Sequence, residues 1–461
     1  MKKRTDTRAI FGNFTVSNNT WETQLNNNDL IVGPSGSGKT RGYVLPYING
    51  IDNESMIVTD CKGMLYSTCK ENLEEKGYDV FSIDLSSEEY AEFGYNPLES
   101  IRRNPVTGEY SQKDIEAVSA VICSEEANYT NDIFWLNGTQ MLLTFFIAFV
   151  LEAFPKQYHN LDTVRQLIPT LVNIRSENEQ ANINVIRTSA QSRFYENYRT
   201  SCFPYHSPYN DIDKYKKVEL RTNSAKTFNI YDLLAELKER NPNSIAVNTF
   251  NSLKSSAGAE KTMASFVFCL EERLSSLCTI TNRMLYKAPK RIDFNRLGKE
   301  KVAVFLKVSD NDRSHDRMAK IIYAQALQTL MEQADYNPGN RLSVPVRFVF
   351  DDFASGAIIP DFDNIISVIR SREIYTSIII QSISQLNDKY KSDKAATIIN
   401  NCDHMVYLGG QDLDTVNFIA QRADVPFNDI FSMPVKSAYV FERGKQPTFL
   451  SLDTPSEQLS L

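Results

Sequence analysis

Asp29-Leu30-Ile31-Val32-Gly33-Pro34-Ser35-Gly36-Ser37-Gly38-Lys39-Thr40-Arg41-Gly42-Tyr43-Val44 is the stretch on which the reading of the whole chain turns. Its first four residues suit a buried strand, and Thr40 onward suits the start of a helix. Between them, Gly33 to Thr40 satisfies G-x-x-x-x-G-K-[ST] in full. The chemistry asks for these residue types. Glycines let successive backbone N–H groups point inward at phosphate oxygens without Cβ clashes. The following helix presents its positive N-terminal end to the same anion. The pattern assigns Lys39 to the β- and γ-phosphates of ATP and the Thr40 hydroxyl to Mg²⁺. Gly33, Pro34, Ser35, Gly36, Ser37 and Gly38 form the cradle. The chain has 18 glycines, so finding four of them (33, 36, 38 and 42) in so short a window sets this stretch apart from an ordinary Gly/Ser turn.

Working outward, short apolar runs without polar alternation recur toward both ends of the sequence. They are Leu30–Val32, Met56–Thr59 and Val80–Ile83, then Val302–Val308, Val346–Phe350, Ser377–Ile380 and Met405–Leu408. Such runs suit strands buried on both faces of a parallel sheet. Helical spacing of Met318, Ile321, Ile322, Leu327, Leu330 and Met331 between two of them argues for an α/β, mainly parallel, doubly wound sheet. The middle is helical instead, with patterns over Ile115–Ile122, Phe134–Phe154, Leu161–Ile174, Tyr231–Arg240 and Lys261–Thr279. Glu177–Lys226 reads as a polar loop. The expected organisation is a nucleotide-binding domain from residues 1–111 and 287–461 and an inserted all-α domain over 112–286. The tail from Pro447 reads as frayed.

Composition bounds the remaining classes. In 461 residues, 42% are hydrophobic and 23% charged, which excludes a disordered or fibrous chain. Lys and Arg total 50 against 57 acidic residues, so a basic coat over the whole surface is excluded while a local basic channel is not. Mixed basic stretches at Lys214–Lys226 and Lys287–Lys301 read either as such a channel or as solvated faces. Seven cysteines without a C-x-x-C pair read as reduced thiols of a cytosolic protein, and four scattered histidines share no ligand spacing. Ile133–Leu151 is the best candidate for a membrane span. Its early Asn137-Gly-Thr-Gln leaves too short an apolar stretch for the roughly 20 residues a span needs, so a buried core helix and no transmembrane segment are expected.

A P-loop needs a carboxylate at the end of a neighbouring strand. Val346-Arg-Phe-Val-Phe350 ends in Asp351-Asp352. Asp351 suits the Mg²⁺-side acid and Asp352 the base or water-orienting role, where Glu is commoner. Alone, the pair also reads as a solvated acidic turn.

Further motifs carry a family resemblance. Phe350-Asp-Asp-Phe-Ala, Ile359-Pro-Asp-Phe, Arg370-Ser-Arg-Glu-Ile, Gln381-Ser-Ile-Ser-Gln-Leu, Asn400-Asn-Cys-Asp-His and Leu408-Gly-Gly resemble the TraG/TraD-type coupling ATPases of conjugative type IV secretion. Upstream, Asp60-Cys-Lys-Gly, Tyr95-Asn-Pro-Leu, Asp132-Ile-Phe-Trp and Ala259-Glu-Lys-Thr-Met-Ala-Ser keep the family's order. The resemblance implies a RecA-like P-loop ATPase related to FtsK and HerA, assembled as a hexameric ring. It implies a ring that passes single-stranded DNA with its relaxase to the secretion channel or its membrane subunits. Arg370 matches the arginine that reaches a neighbouring subunit's γ-phosphate, with Arg372 in reserve, though such an arginine also serves as a surface ion-pair partner; Gln381 ends the strand Ser377–Ile380, where its amide suits the γ-phosphate or water, or a turn hydrogen bond. Asp60 and Lys62 serve equally as a structural pair or an ATP contact.

Three features depart from the family: nothing apolar precedes Gly33, Asp352 replaces Glu, and Cys61 and Met64 replace the usual Pro and acidic residue. From the first, the expectation is a cytoplasmic protein, peripheral at the inner face of the cell membrane through a partner. Two other duties fit the same motifs: a double-stranded DNA translocase of the FtsK–HerA kind, and a docking adaptor that binds nucleotide and hydrolyses little.

Overall fold

The computed structural model describes residues 7–12, 14–89, 91–124, 133–172, 230–257, 260–309 and 311–451. Its strands in chain order are β1 (Thr7–Phe11), β2 (Phe14–Ser17), β3 (Asp29–Val32), β4 (Ser55–Asp60), β5 (Asp79–Asp84), β6 (Phe93–Gly94) and β7 (Lys290–Arg291). These are followed by β8 (Val302–Lys307), β9 (Val346–Phe350), β10 (Ile374–Ile380), β11 (His404–Tyr407), β12 (Ser437–Glu442) and β13 (Thr448–Ser451). The central sheet runs β13-β12-β11-β3-β10-β9-β4-β8-β5. From β11 to β5 every pairing is parallel, whereas β12 and β13 are antiparallel. Every residue of β3, β4, β9, β10 and β11 is buried, as strands covered on both faces require.

One compact unit takes Met1–Tyr95 and Lys287–Leu461, so both ends of the chain build this sheet. The fold is that of a RecA-like P-loop ATPase, a mainly parallel sheet with helices. Thr448–Ser451 corrects the expectation of a frayed tail. After the turn Arg443-Gly444-Lys445, these residues pair with β12 and alternate between half-buried and exposed, as an edge strand does.

A second unit takes Asn96–Ser124 and Thr130–Tyr286. Its helices include Gln112–Cys123, Ile133–Ala153, Leu161–Val172, Ile230–Arg240, Ile245–Ala257 and Glu260–Ser275. The unit opens at Asn96, ahead of the expected Gln112, because the approach to the first helix is part of that helix's support. Asn96 donates to the His159 carbonyl, and Arg102 grips Asp114 in the first helical turn with Nη2 at 2.6 Å and Nε at 2.8 Å. Ile133–Ala153 is long and apolar enough to cross a membrane by length and composition. Its Leu142–Leu151 segment is buried within the unit. Asp132, Ala259, Ile174, the polar loop Glu177–Lys226 with its basic stretch Lys214–Lys226, and the tail beyond Ser451 lie outside the described residues.

Candidate nucleotide site

Parallel strands deliver their following loops to one edge of a sheet, and ligands gather there. The loop after β3 opens with Gly33, whose N–H donates to the Ile380 carbonyl of β10 at 3.2 Å. A Cβ on Gly33 would stand 2.6 Å from Ser37 Oγ and 2.9 Å from Leu408 Cβ, so the loop closes only around glycine here. Gly36 and Gly38 take φ of 78° and 91°, the left-handed turns that curl the backbone back on itself. Thr40–Val44 then starts a helix with a wide turn in which the Leu45 N–H reaches the Thr40 carbonyl. Lys39 Nζ donates to the carbonyls of Gly33 at 2.5 Å and Pro34 at 2.9 Å. The Ser37 hydroxyl is buried without a hydrogen-bond partner. An orphaned hydroxyl, an ammonium parked on loop carbonyls and a glycine-built curl fit a bound phosphate chain.

β10 lies between β3 and β9, which brings Gln381 and the Asp351-Asp352 pair to the same edge as the loop. Burial lowers the Lys39 ammonium's pKa, while the charges of Asp351 and Asp352 oppose that shift. Burial and the neighbouring Asp352 charge push Asp351 up to about 6, against the pull of Lys39. The three side chains therefore share one electrostatic neighbourhood. Asp352 sits at φ 57°, strained for a residue with a Cβ, and its carbonyl accepts from Ser355 and Gly356. Gln381 Nε2 donates to Asp352 Oδ1 at 3.2 Å, so the strand-end amide faces the acidic pair. Among the described residues no cluster of three or more acidic, His or Cys side chains forms a metal cage; the Thr40 hydroxyl and the Asp351 carboxylate are hard oxygen donors that could hold Mg²⁺ beside a bound phosphate.

Other candidates fall elsewhere. Asp60 Oδ2 accepts from the Tyr66 N–H at 2.9 Å, capping the helix Met64–Glu75, and Lys62 is exposed. Arg370 lies in the short turn Arg370–Arg372 that precedes β10, at the opposite edge of the sheet from the phosphate loop. Seven strand residues rising about 3.3 Å each separate it from Gln381, roughly 20 Å, so it cannot serve its own loop. Arg372 pairs with Asp335 at 2.8 Å. Within Lys287–Lys301, Lys290 pairs with Glu92, Arg296 with Glu300 and Lys301 with Asp52, an ion-paired surface.

Sequence reading missed what lies beneath the loop. Arg347, fully buried inside β9, donates to Asp29 at 3.1 Å and Glu54 at 3.4 Å and lies between the rings of Tyr47 and Tyr375. Arg8 holds the same Asp29 at 2.6 Å. Burial raises the Asp29 carboxyl's pKa, but the Arg8 and Arg347 charges prevail and hold it at about 2. Tyr43, in the helix after the loop, donates to Asp29 at 2.6 Å, and Tyr47 donates to Glu54 at 2.8 Å. A charged residue interrupting an apolar strand was the available signal, and Arg347 in Val346-Arg-Phe-Val-Phe350 gives it.

A P-loop, an acid pair after the second strand over and a strand-end glutamine between them define a RecA-like nucleotide-binding fold. Residues 2–423 match the family described as type IV secretory system conjugative DNA transfer, and the chain belongs to that family. No curated protein matches the sequence. Among solved structures, the bacterial conjugative coupling protein TrwBdeltaN70 in its unbound monoclinic form is 14% identical, with a TM-score of 0.61 over 98% of this chain and 89% of that one. Its trigonal form with sulphate is 13% identical, with a TM-score of 0.62 over 98% and 90%. TrwB in complex with ADP and Mg²⁺ is 14% identical, with a TM-score of 0.61 over 98% and 89%. At these identities the likeness is one of fold.

Proposed function

We propose that this coupling protein hydrolyses ATP with Mg²⁺ as a ring and uses the energy to drive single-stranded DNA and its relaxase into the secretion channel, from the cytoplasmic side of the membrane. The observation that carries the reading is the meeting of Lys39 with Asp351 and Asp352 at one sheet edge, where each acid's charge acts on the ammonium. Mg²⁺, when bound, screens the phosphate charge and orients the triphosphate. The chain's own residues do the rest. The loop amides and Lys39 hold the phosphates, Thr40 and Asp351 fix the ion, and Asp352 orients the attacking water. Gln381, already bonded to Asp352, links the state of that water to β10. Arg370, beyond reach of its own loop, serves the γ-phosphate of the next copy, where a guanidinium neutralises charge on the transferred phosphoryl group.

The test is Mg²⁺-dependent ATP turnover by the full chain, alone and with single- or double-stranded DNA. Lys39→Ala and Asp351→Ala each lower turnover by on the order of 100-fold or more. Stimulation by single-stranded DNA supports the conjugative motor, and stimulation by duplex alone supports a double-stranded DNA translocase. One observation favours a weakly hydrolysing adaptor: Asp352 is one methylene shorter than Glu and is engaged by Gln381. Absence of turnover under every condition would establish that reading instead.

A further inference from the structure

Arg370 is an exposed side chain, yet its guanidinium does not swing freely. Nη2 donates to the Thr20 carbonyl at 3.2 Å, the one hydrogen bond this side chain makes among the described residues. Thr20 opens the short helical turn Thr20–Thr23, and that turn is itself fastened. The Asn19 side chain accepts from the N–H groups of Trp21 and Glu22, each at 3.2 Å. The Trp21 ring is 61% exposed, and the Arg341 guanidinium lies over it at 4.6 Å. The turn is thus braced internally by Asn19 and meets the rest of the unit at two points, the Arg370–Thr20 hydrogen bond and the Trp21–Arg341 stack.

We infer that Asn19–Thr23 is a positioning strap for Arg370. The Thr20 carbonyl holds one N–H of the guanidinium, and the Trp21–Arg341 stack and the Asn19 cap hold the carbonyl. The inference rests on the reading that Arg370 acts on a neighbouring copy's phosphate. A long arginine side chain carries substantial rotamer entropy, and a residue that must meet a transition state in another subunit gains from losing that freedom beforehand. One N–H bound to the strap leaves the rest of the fork available for phosphate oxygens. A strap of this kind acts on the chemical step and leaves ground-state nucleotide binding alone, because the ATP-binding loop lies at the other edge of the sheet.

Steady-state ATP turnover by assembled rings tests it, with Trp21→Ala, Asn19→Ala, Trp21→Phe and Arg370→Ala compared at matched assembly. Trp21→Ala and Asn19→Ala are expected to lower kcat about tenfold with KM for Mg-ATP unchanged, since misplacing a reacting group by about 1 Å costs up to 100-fold. Trp21→Phe, which keeps a ring for Arg341, retains most of kcat. In an Arg370→Ala background, Trp21→Ala adds no further loss, as expected of residues acting through one group. If Arg370→Ala leaves kcat intact, the reading of Arg370 itself fails. If Arg370→Ala abolishes turnover while both strap variants keep wild-type kcat, the strap alone fails. Equal losses with and without Arg370, or lost assembly at unchanged kcat per ring, also overturn it. Unchanged ADP affinity in each variant checks that the fold is intact, and Asn19→Ala keeps the test open should Trp21→Ala not fold.

Discussion

His404, at the head of β11, resists protonation because of what surrounds it. Burial acts first, driving its pKa down from 6.5 to about 4; the Asp29, Glu442 and Asp403 charges pull the other way, and the Arg8 charge adds to the fall. Arg8 Nη2 stands 3.2 Å from Nδ1, so Nδ1 accepts from the guanidinium and the ring proton belongs on Nε2. Because the folded pKa is depressed, this contribution to stability is complete above pH 6.5 and is lost as pH falls through about 4. A shift of that size corresponds to about 3 kcal/mol. Asp29, held at about 2 from 3.8, gives its own contribution above pH 3.8 and loses it only below that, a separate and more acid window. Urea unfolding at a series of pH values should therefore show the wild type losing stability between pH 6.5 and 4. His404→Asn, whose amide oxygen accepts the same Arg8 bond, should be flatter there by roughly 3 kcal/mol. An equally steep variant would assign the acid loss to other groups.

At the scale of elements, the helical unit rests on a close helix pair. In Ile133–Ala153, Gly138 faces the Phe266 ring of Glu260–Ser275, and a Cβ placed there would stand 2.1 Å from Phe266 Cζ. Phe266 is buried and meets Phe134 and Trp135 at 5.5 Å, so the ring has little room to retreat. Gly138→Ala should destabilise by about 1–3 kcal/mol despite its better helix propensity, readable as a lower melting temperature, and Phe266→Leu beside it should recover part of the loss. That contact was illegible in the sequence, since nothing along the chain says which helices meet. The strands were more legible. β3, β4, β8, β10 and β11 announce themselves as largely apolar runs because both faces are covered, and β9 does so with Arg347 as its charged interruption. β13, with its half-exposed alternation, and the two-stranded β1–β2 pair carry no such signal. The phosphate loop was readable because its chemistry is contiguous. The Gln381–Asp352 bond was not, because it exists only once β10 is placed between β3 and β9. The buried Arg347–Asp29–Arg8 cluster depends on three strands meeting, and only the lone charge inside β9 hinted at it.

At the scale of the whole molecule, the two edges of one sheet divide the chemistry. The loop, Asp351, Asp352 and Gln381 stand at the ends of their strands, whereas Arg370 stands before β10 at the other edge. On the proposed reading of Arg370, a site is completed only with a second copy, through head-to-tail contacts that form a ring where the rotation between copies closes. The consequence is complementation. Lys39→Ala supplies a working arginine but no working loop, and Arg370→Ala supplies the reverse, so each alone keeps only residual turnover. Mixed at equal amounts before assembly, a random ring has about a quarter of its interfaces with an intact loop facing an intact arginine, so turnover should recover to about a quarter of wild type if sites fire independently. If firing must pass around the whole ring, recovery falls well below that. A double variant, Lys39→Ala with Arg370→Ala in one chain, rescues neither partner when mixed with it. Were Arg370 to act within its own chain, no mixture of the two single variants would regain activity, because no subunit would carry both groups. Measuring turnover across mixing ratios, with assembly checked at each, separates these cases.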